Sequence, residues 1–366
     1  MRLPLTQKQR RSLHLILIVV FASAVAGAVF GPVIGLIRSG NAQAADAWSG
    51  VVHGVLISSL LMGFSYFIDG SAAGRRIRRL PFLPFVATKT VVYFGCILAG
   101  MYVGQLASRS SGISVDGATL LIIAFNFIMS FIVSTTLEIS RLLGPGVFSS
   151  FLIGRYHRPR IEERIFLLID LRRSTHIAEQ IGDLAFHRLL NRFYFDLTEP
   201  LMEHGAEIHK YVGDELVATW LIEKGLRDAA CVAAVFEARH VIAGQAENYR
   251  AEFGVTPEFR GVLHAGPVVT GEMGDVKREI AFLGDTVNTA SRIEAFAKST
   301  DANVVLSAPL LQQMRLPDIY VTRSLGTAAL QGKQEPIELF AVDRIAPSHP
   351  EHPELRLRDR RIQRGT

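Results

Sequence analysis

Hydrophobic and polar positions divide the chain into two halves with different rhythms. Before Leu143 the apolar residues come in long runs, over Leu13–Ile37, Gly50–Ile68, Phe85–Leu106 and Gly117–Leu137. Each is close to the about 20 residues that cross a hydrocarbon core, so the pattern predicts four transmembrane helices. Beyond Leu143 the runs shorten. Ile165–Ile169 is wholly apolar and ends at Asp170, the pattern of a buried central strand with a carboxylate at its C-terminal end. Ser174 and Thr175 are placed to cap a helix running to about Ile181. Asp183 opens a second helix, on which Phe186, Leu189, Leu190, Phe193, Leu197 and Leu201 keep helical spacing. Ala206–Val212 and Glu215–Leu221 read as two strands around a tight Gly213-Asp214 turn. One long helix over Gly225–Glu252 and a strand over Glu258–His264 follow. Shorter strands are expected near Ile280–Leu283, Val304–Leu306, Tyr320–Arg323 and Ile337–Val342. Strands interleaved with helices predict one α/β domain, a two-layer sandwich.

Charge then orients the membrane half. The 366 residues carry a formal net charge of +5, and much of the excess flanks the apolar runs, so lipid and topology explain it better than nucleic acid does. Arg2, Lys8, Arg10 and Arg11 precede the first run, and Arg75, Arg76, Arg78 and Arg79 separate the second from the third. The other two loops hold little beyond Arg38 and Arg109. Positive charge stays inside, which predicts a multi-pass protein with both termini cytoplasmic; the expected location is the inner membrane. Ala42-Gln43-Ala44 has the shape of a signal-peptidase site, but the preceding run is longer than a signal core. Lys89 is the one formal charge inside a run. It reads as snorkelling to the cytoplasmic edge, with a ligand site in the bundle as the alternative. Cys96 and Cys231 have no metal-type spacing and imply no disulfide framework.

At the junction, Gly144-Pro145-Gly146 should interrupt helix. Arg155, His157, Arg158 and Arg160 form a basic collar, either a solvated stop-transfer flank or a lipid-responsive coupling element. The expected organisation is therefore a four-helix membrane domain over 1–138, a connector over 139–162, a soluble domain over 163–345 and a basic, disordered tail over 346–366.

Candidate chemistry centres on Asp170 and Asp214, both where loops meet the rigid sheet. Paired carboxylates without Cys or His partners suit Mg²⁺ or Mn²⁺, and two such ions about 3.5–4 Å apart can clamp the attacking and leaving oxygens of a phosphoryl transfer. Two aspartates alone are weak evidence. The helix start at Ser174 and Thr175 offers backbone N–H groups to phosphate. Asn288 and Arg292, four apart, share a helix face, suited to a ribose and a charged phosphate or simply to water.

Assembled, these pieces resemble the class III adenylate/guanylate cyclases. The matching segments are Leu168-Ile-Asp170, Lys210-Tyr-Val-Gly-Asp214-Glu215, Leu263-His-Ala-Gly-Pro-Val268, Gly284-Asp-Thr-Val-Asn-Thr-Ala-Ser-Arg292 and Gly332-Lys333-Gln-Glu-Pro-Ile-Glu338. They stand in family order across roughly half the chain, and Gly284–Arg292 is the most specific. The resemblance implies the class III catalytic fold with a ferredoxin-like core, and conversion of ATP to cyclic AMP and pyrophosphate. It implies two Mg²⁺ or Mn²⁺ ions per site on Asp170 and Asp214, Lys210 reading adenine, Asn288 and Arg292 on ribose and transition state, and Lys333 on phosphate. It also implies a homodimer with composite sites, because the family builds each site from two catalytic domains and only one is present here. Two positions depart from the pattern. Ala281 stands where an Asp or Thr usually helps to read the base, and Arg173-Ser174-Thr175 replaces the usual phosphate-loop residues. The alternatives are a guanylate or relaxed-specificity cyclase and, from another class, a membrane receptor or scaffold with a silent cyclase-like domain. A diguanylate cyclase would lack the Asn288/Arg292 helix.

Overall fold

The structure is a computed structural model. It describes residues 7–70 (save 42), 77, 80–107, scattered positions between 123 and 139, 153–328 (save 277) and 336–345. The chain forms two compact units, Met1–Phe148 and Ser149–Thr366. Lys333, the Gly144–Gly146 break, the arginine-rich loop at 75–79 (save Ile77), most of the fourth apolar run and the tail lie outside the described residues.

In the first unit, α1 spans Gln7–Ser39, α2 Ala44–Gly70 and α3 Phe82–Ala107. Among the described residues two stretches are long and apolar enough to cross a membrane, Ala44–Phe64 and Phe82–Gly100, with mean hydropathies of 1.5 and 1.7; the apolar part of α1, Val20–Leu36, is shorter. Lys89 does not snorkel. It is 3% exposed, and its Nζ lies 2.8 Å from Glu138 Oε1, between the rings of Phe85 and Tyr93. An ammonium among apolar helices is costly alone, and the carboxylate at the far end of the fourth run offsets that cost.

Helices α1 and α2 meet through small residues. A Cβ on Gly27 would sit on the carbonyl of Gly50, one on Gly50 on the carbonyl of Gly27, and one on Gly54 on the carbonyl of Ser23. Lipid tails are as apolar as leucine, so helices in a bilayer associate through this kind of close backbone approach. Gly50→Val should therefore part the pair, lowering stability by about 1–3 kcal/mol. Thermal unfolding of the full chain in detergent checks this, with Gly63→Val as the control, since nothing lies within 4 Å of a Cβ at Gly63.

The second unit contains one eight-stranded sheet. In chain order its elements are β1 (Arg160–Leu171), α4 (Ser174–Ile181), α5 (Asp183–Glu203), β2 (Glu207–Val212), β3 (Glu215–Leu221), α6 (Ile222–Leu226), α7 (Ala230–Gly244), α8 (Ala246–Phe253), β4 (Phe259–Met273), β5 (Glu279–Leu283), α9 (Asp285–Ala297), β6 (Val304–Ser307), α10 (Ala308–Leu311), β7 (Tyr320–Ala328) and β8 (Ile337–Arg344). Strand order is β2-β3-β1-β4-β6-β8-β7, with β5 hanging from the far end of β4. Among the described residues only the β4–β6 pair is parallel.

Alternation along β1 separates two cores. Ile165, Leu167, Ile169 and Leu171 face one side, packed with Leu189, Phe193 and Leu197 of α5 and Val235, Ala238 and Ile242 of α7. Phe166 and Leu168 face the other side with Val217, Val268 and, from α9, Ala290 and Val287. Asp170 continues this second stripe, so a carboxylate ends the face that α9 covers.

Three further expectations are corrected in this unit. The long helix over Gly225–Glu252 is broken, because Asp228 and Ala229 take positive φ of 52° each and a further break falls at Gln245. The strand expected to end at His264 continues through Pro267 to Met273, where β5 pairs with it. Ser174 and Thr175 do not cap α4. Arg173 is its N-cap residue, in the left-handed region with φ 56°, and no side chain caps the helix.

Candidate active site

The two aspartates are brought together by the hairpin. In register, Asp170 lies opposite Glu215 on one side and Arg260 on the other, and Asp214 forms the turn before Glu215. The turn needs its glycine, since Gly213 has φ +62°, which costs an L side chain energy. Tyr194 of α5 pins it, donating its hydroxyl to Gly213 O at 2.8 Å while its ring stacks on Tyr211 at 4.5 Å between centroids. Asp170, Asp214, Ser174, Thr175, Arg173 and Lys298 all line one cleft of about 970 Å³.

Electrostatics there are dominated by crowded carboxylates. Burial raises the Asp170 carboxyl, Lys298 works against that, and Glu294 and Asp214 push the same way as burial. Glu215 is pushed up to about 6, by burial first and then by Glu294 and Asp170. Lys298 Nζ stands 3.2 Å from Asp170 Oδ1 and 2.8 Å from Glu294 Oε1, and these two carboxylates more than offset the burial of its ammonium, raising it. A cation therefore already has a place at Asp170. Among the described residues no three His, Cys, Asp or Glu side chains could hold a metal together. Two hard carboxylates beside a helix start suit ions that complete their shell with water and substrate phosphate, so Asp170 and Asp214 fit Mg²⁺ or Mn²⁺.

Lys210 is elsewhere. It lines a second cavity of about 190 Å³ with His209, Phe282 and, from α9, Val287 and Ser291, and the two cavities share no lining residue. Asn288 is exposed on the same helix. Arg292, also on α9, is half-buried, and its Nη1 is buried with no hydrogen-bond partner. Ala281 of β5 pairs with Gly271 of β4 and is not among the cavity's lining residues, whereas the next residue, Phe282, is. Lys298, Glu294, Tyr194 and His209 were not anticipated. The i,i+4 spacing of Glu294 and Lys298 was visible, but their meeting with Asp170 depends on how α9 lies across the sheet.

Residues 158–343 match the family described as the Adenylate and Guanylate cyclase catalytic domain. Over 299 residues the chain is 31% identical to Adenylate cyclase 2 of Rhizobium meliloti (strain 1021), covering 80% of this chain and 82% of that protein. The chain belongs to the class III adenylate/guanylate cyclases. An Adenylate cyclase of Anabaena cylindrica is 27% identical over 187 residues, 48% of this chain but only 36% of that protein. A solved structure of a bacterial light-regulated adenylyl cyclase superposes with a TM-score of 0.52 at 19% identity, over 63% of this chain and 67% of that one, a likeness of fold. In the cyclase unit the catalytic sheet is thus the one described above, with both aspartates at the C-terminal side of β1.

Proposed function

We propose that this chain is a membrane-anchored adenylate cyclase, which converts ATP to 3′,5′-cyclic AMP and pyrophosphate at composite sites shared by two copies. The reading is carried by one observation: on each chain Lys210 is not among the residues that line the aspartate cleft, but lines a smaller cavity beside it. The smaller cavity, at about 190 Å³, lies below the roughly 300 Å³ of a whole-ligand pocket and suits a base alone. A second copy would bring its own Lys210 cavity, Asn288 and Arg292 to the cleft of the first, closing two equivalent sites by two-fold symmetry.

In such a site Lys210 donates to the base and the exposed Asn288 orients the ribose. The unpartnered Nη1 of Arg292 is available to the charge that grows on the α-phosphate during in-line attack of the 3′-hydroxyl. Backbone N–H groups at the start of α4, with Ser174 and Thr175, receive phosphate oxygens, and Lys333 adds a further cation. Asp170 and Asp214 would hold two Mg²⁺ or Mn²⁺ ions, which supply charge neutralisation and an activated 3′-hydroxyl. Lys298 must then yield its place at Asp170. The domain organisation follows the bounds read from the sequence: four helices over 1–138 anchoring the chain in the inner membrane, a connector over 139–162 and a cytoplasmic catalytic domain over 163–345.

The purified full chain should release cyclic AMP and pyrophosphate in equal amounts from ATP. EDTA should abolish turnover and added Mn²⁺ restore it. Ala281 offers no hydrogen-bond acceptor, so GTP is the comparison that matters: a larger yield of cyclic GMP would move the reading to a guanylate cyclase, and no product from either nucleotide would support a silent, receptor-like domain.

A further inference from the structure

We infer that His209 reads the exocyclic amino group of the substrate base, in the acceptor role that Ala281 leaves vacant. The inference rests on the adenylate cyclase reading above and adds to it a residue and a chemical basis for preferring adenine. Strand β2 pairs with β3 in register at Ile208↔Ala218 and again at Lys210↔Val217, which leaves His209 as the extra residue of a bulge. In a regular strand neighbouring side chains face opposite sides of the sheet, whereas a bulge re-aims one of them. Here both His209 and Lys210 line the same cavity.

The chemistry of the base edge then divides the work. Adenine presents a ring-nitrogen acceptor beside an amino donor. The Lys210 ammonium has donors only and can serve the acceptor. The amino group needs an acceptor, and the Ala281 methyl has none. A neutral imidazole has one nitrogen that accepts. Burial, and after it the Lys210 charge, push the His209 imidazole down to about 4, so it is neutral at physiological pH. Its ring is held edge to face against Phe282 at 4.7 Å between centroids, and Phe282 is itself fixed by Phe166 at 5.4 Å and by the Arg164 guanidinium at 4.8 Å. Among the described residues neither ring nitrogen of His209 has a hydrogen-bond partner. The Glu279 carboxylate and the Arg164 guanidinium also act on the ring, in opposite directions and more weakly than burial, and leave an accepting nitrogen available.

Two other acceptors line the cavity. Glu215 interacts with Asp170, Glu294 and Lys298, at the end nearest the aspartates, and the Ser291 hydroxyl donates to Val287 O at 3.3 Å. Both enter the test as rivals.

The test is a cycle between side chain and substrate, read as kcat/KM for ATP and for purine riboside triphosphate, which lacks the amino group. The wild-type chain should prefer ATP by about tenfold, the worth of one hydrogen bond in a half-buried site. His209→Leu should bring that ratio close to one by lowering ATP alone. His209→Gln, whose amide oxygen also accepts, should keep most of it and shows whether loss of the ring by itself disturbs the site. A structural role would lower both substrates together and leave the ratio intact, which overturns the inference. A preference that survives in His209→Leu but vanishes in Ser291→Ala or Glu215→Gln overturns it as well. Failure of the wild-type chain to cyclise either nucleotide is a different result, and it removes the cyclase reading itself.

Discussion

Co-expression of an Asp170→Ala chain with an Arg292→Ala chain is expected to restore cyclase activity to about a quarter of the wild-type level, although neither variant is active alone. The figure follows from symmetry. Random pairing makes about half of the dimers mixed, and a mixed dimer holds one intact site of two. In that site the unaltered aspartates of the Arg292→Ala chain meet the unaltered α9 of the Asp170→Ala chain. The other site carries both lesions. If Asp170 and Arg292 of the same chain served one site, every site in every dimer would be broken and no activity would return. Arg292 is not among the residues that line the aspartate cleft of its own chain, which favours the first outcome. Each single variant should lose activity by about 10²–10³ or more, one through a lost metal-holding carboxylate and the other through a lost charge-stabilising donor, so recovery stands well above background. Two differently tagged chains purified in tandem isolate the mixed dimers. A tandem-purified mixed dimer with no activity would sink the composite-site reading.

The parts of this design that were legible in the sequence are those fixed by local pattern. The apolar run into Asp170 places a carboxylate at a strand end whatever else the chain does. The Gly213-Asp214 turn reads correctly because a tight hairpin has few sequence solutions, and β2 and β3 fall within a residue of their expected bounds. Errors arose where packing overrides local preference. Nothing in Asp228 or Ala229 signals positive φ, so a broken helix reads as a continuous one. Pro267 looks like a stop but sits in a strand whose pairing with β1 runs past it, from Leu171↔Phe259 to Arg160↔Thr270. Lys89 reads as a membrane-edge residue because its partner, Glu138, lies 49 residues away. The contacts that tune the site are long-range in the same way. Lys298 reaches Asp170 only because α9 crosses the face where Phe166 and Leu168 point, and the bulge that turns His209 inward has no local signature.

Arg164 supports the second large effect. Its side chain is 1% exposed, and its guanidinium donates to Glu162 Oε2 at 2.8 Å, Glu207 Oε2 at 2.8 Å and the Tyr156 hydroxyl at 3.0 Å. Arg164→Met keeps much of the volume but leaves the half-buried Glu162 carboxylate without its main partner. Breaking a fully buried pair from one side costs about 3–5 kcal/mol because the remaining charge stays desolvated; Glu162 is half-buried and keeps Thr270 at 3.1 Å, so the expected loss is about 2–3 kcal/mol. The change should also loosen residues 154–159, since Tyr156 is held by Arg164 and by Glu272 N, which donates to Tyr156 O at 3.0 Å. The pH dependence separates this cause from lost packing. In the wild type, burial raises the Glu162 carboxyl, but the Arg164 hydrogen bond and charge, with Thr270 and Arg155, pull it below the ordinary carboxylate range. Its contribution is then fully present above that range and is lost as pH falls through the depressed value. Without Arg164 burial dominates, the carboxyl rises above the ordinary range, and its penalty at neutral pH is relieved on acidification. The stability gap between wild type and variant should therefore narrow as pH falls from about 7 to about 4. Urea unfolding of the full chain in detergent, followed through buried Trp220 in a Trp48→Phe background, measures it. Adding Glu162→Gln to Arg164→Met should recover part of the loss at neutral pH and flatten the pH dependence. A gap that stays constant with pH would assign the loss to packing around Phe282 and Tyr156 instead of to the stranded carboxylate.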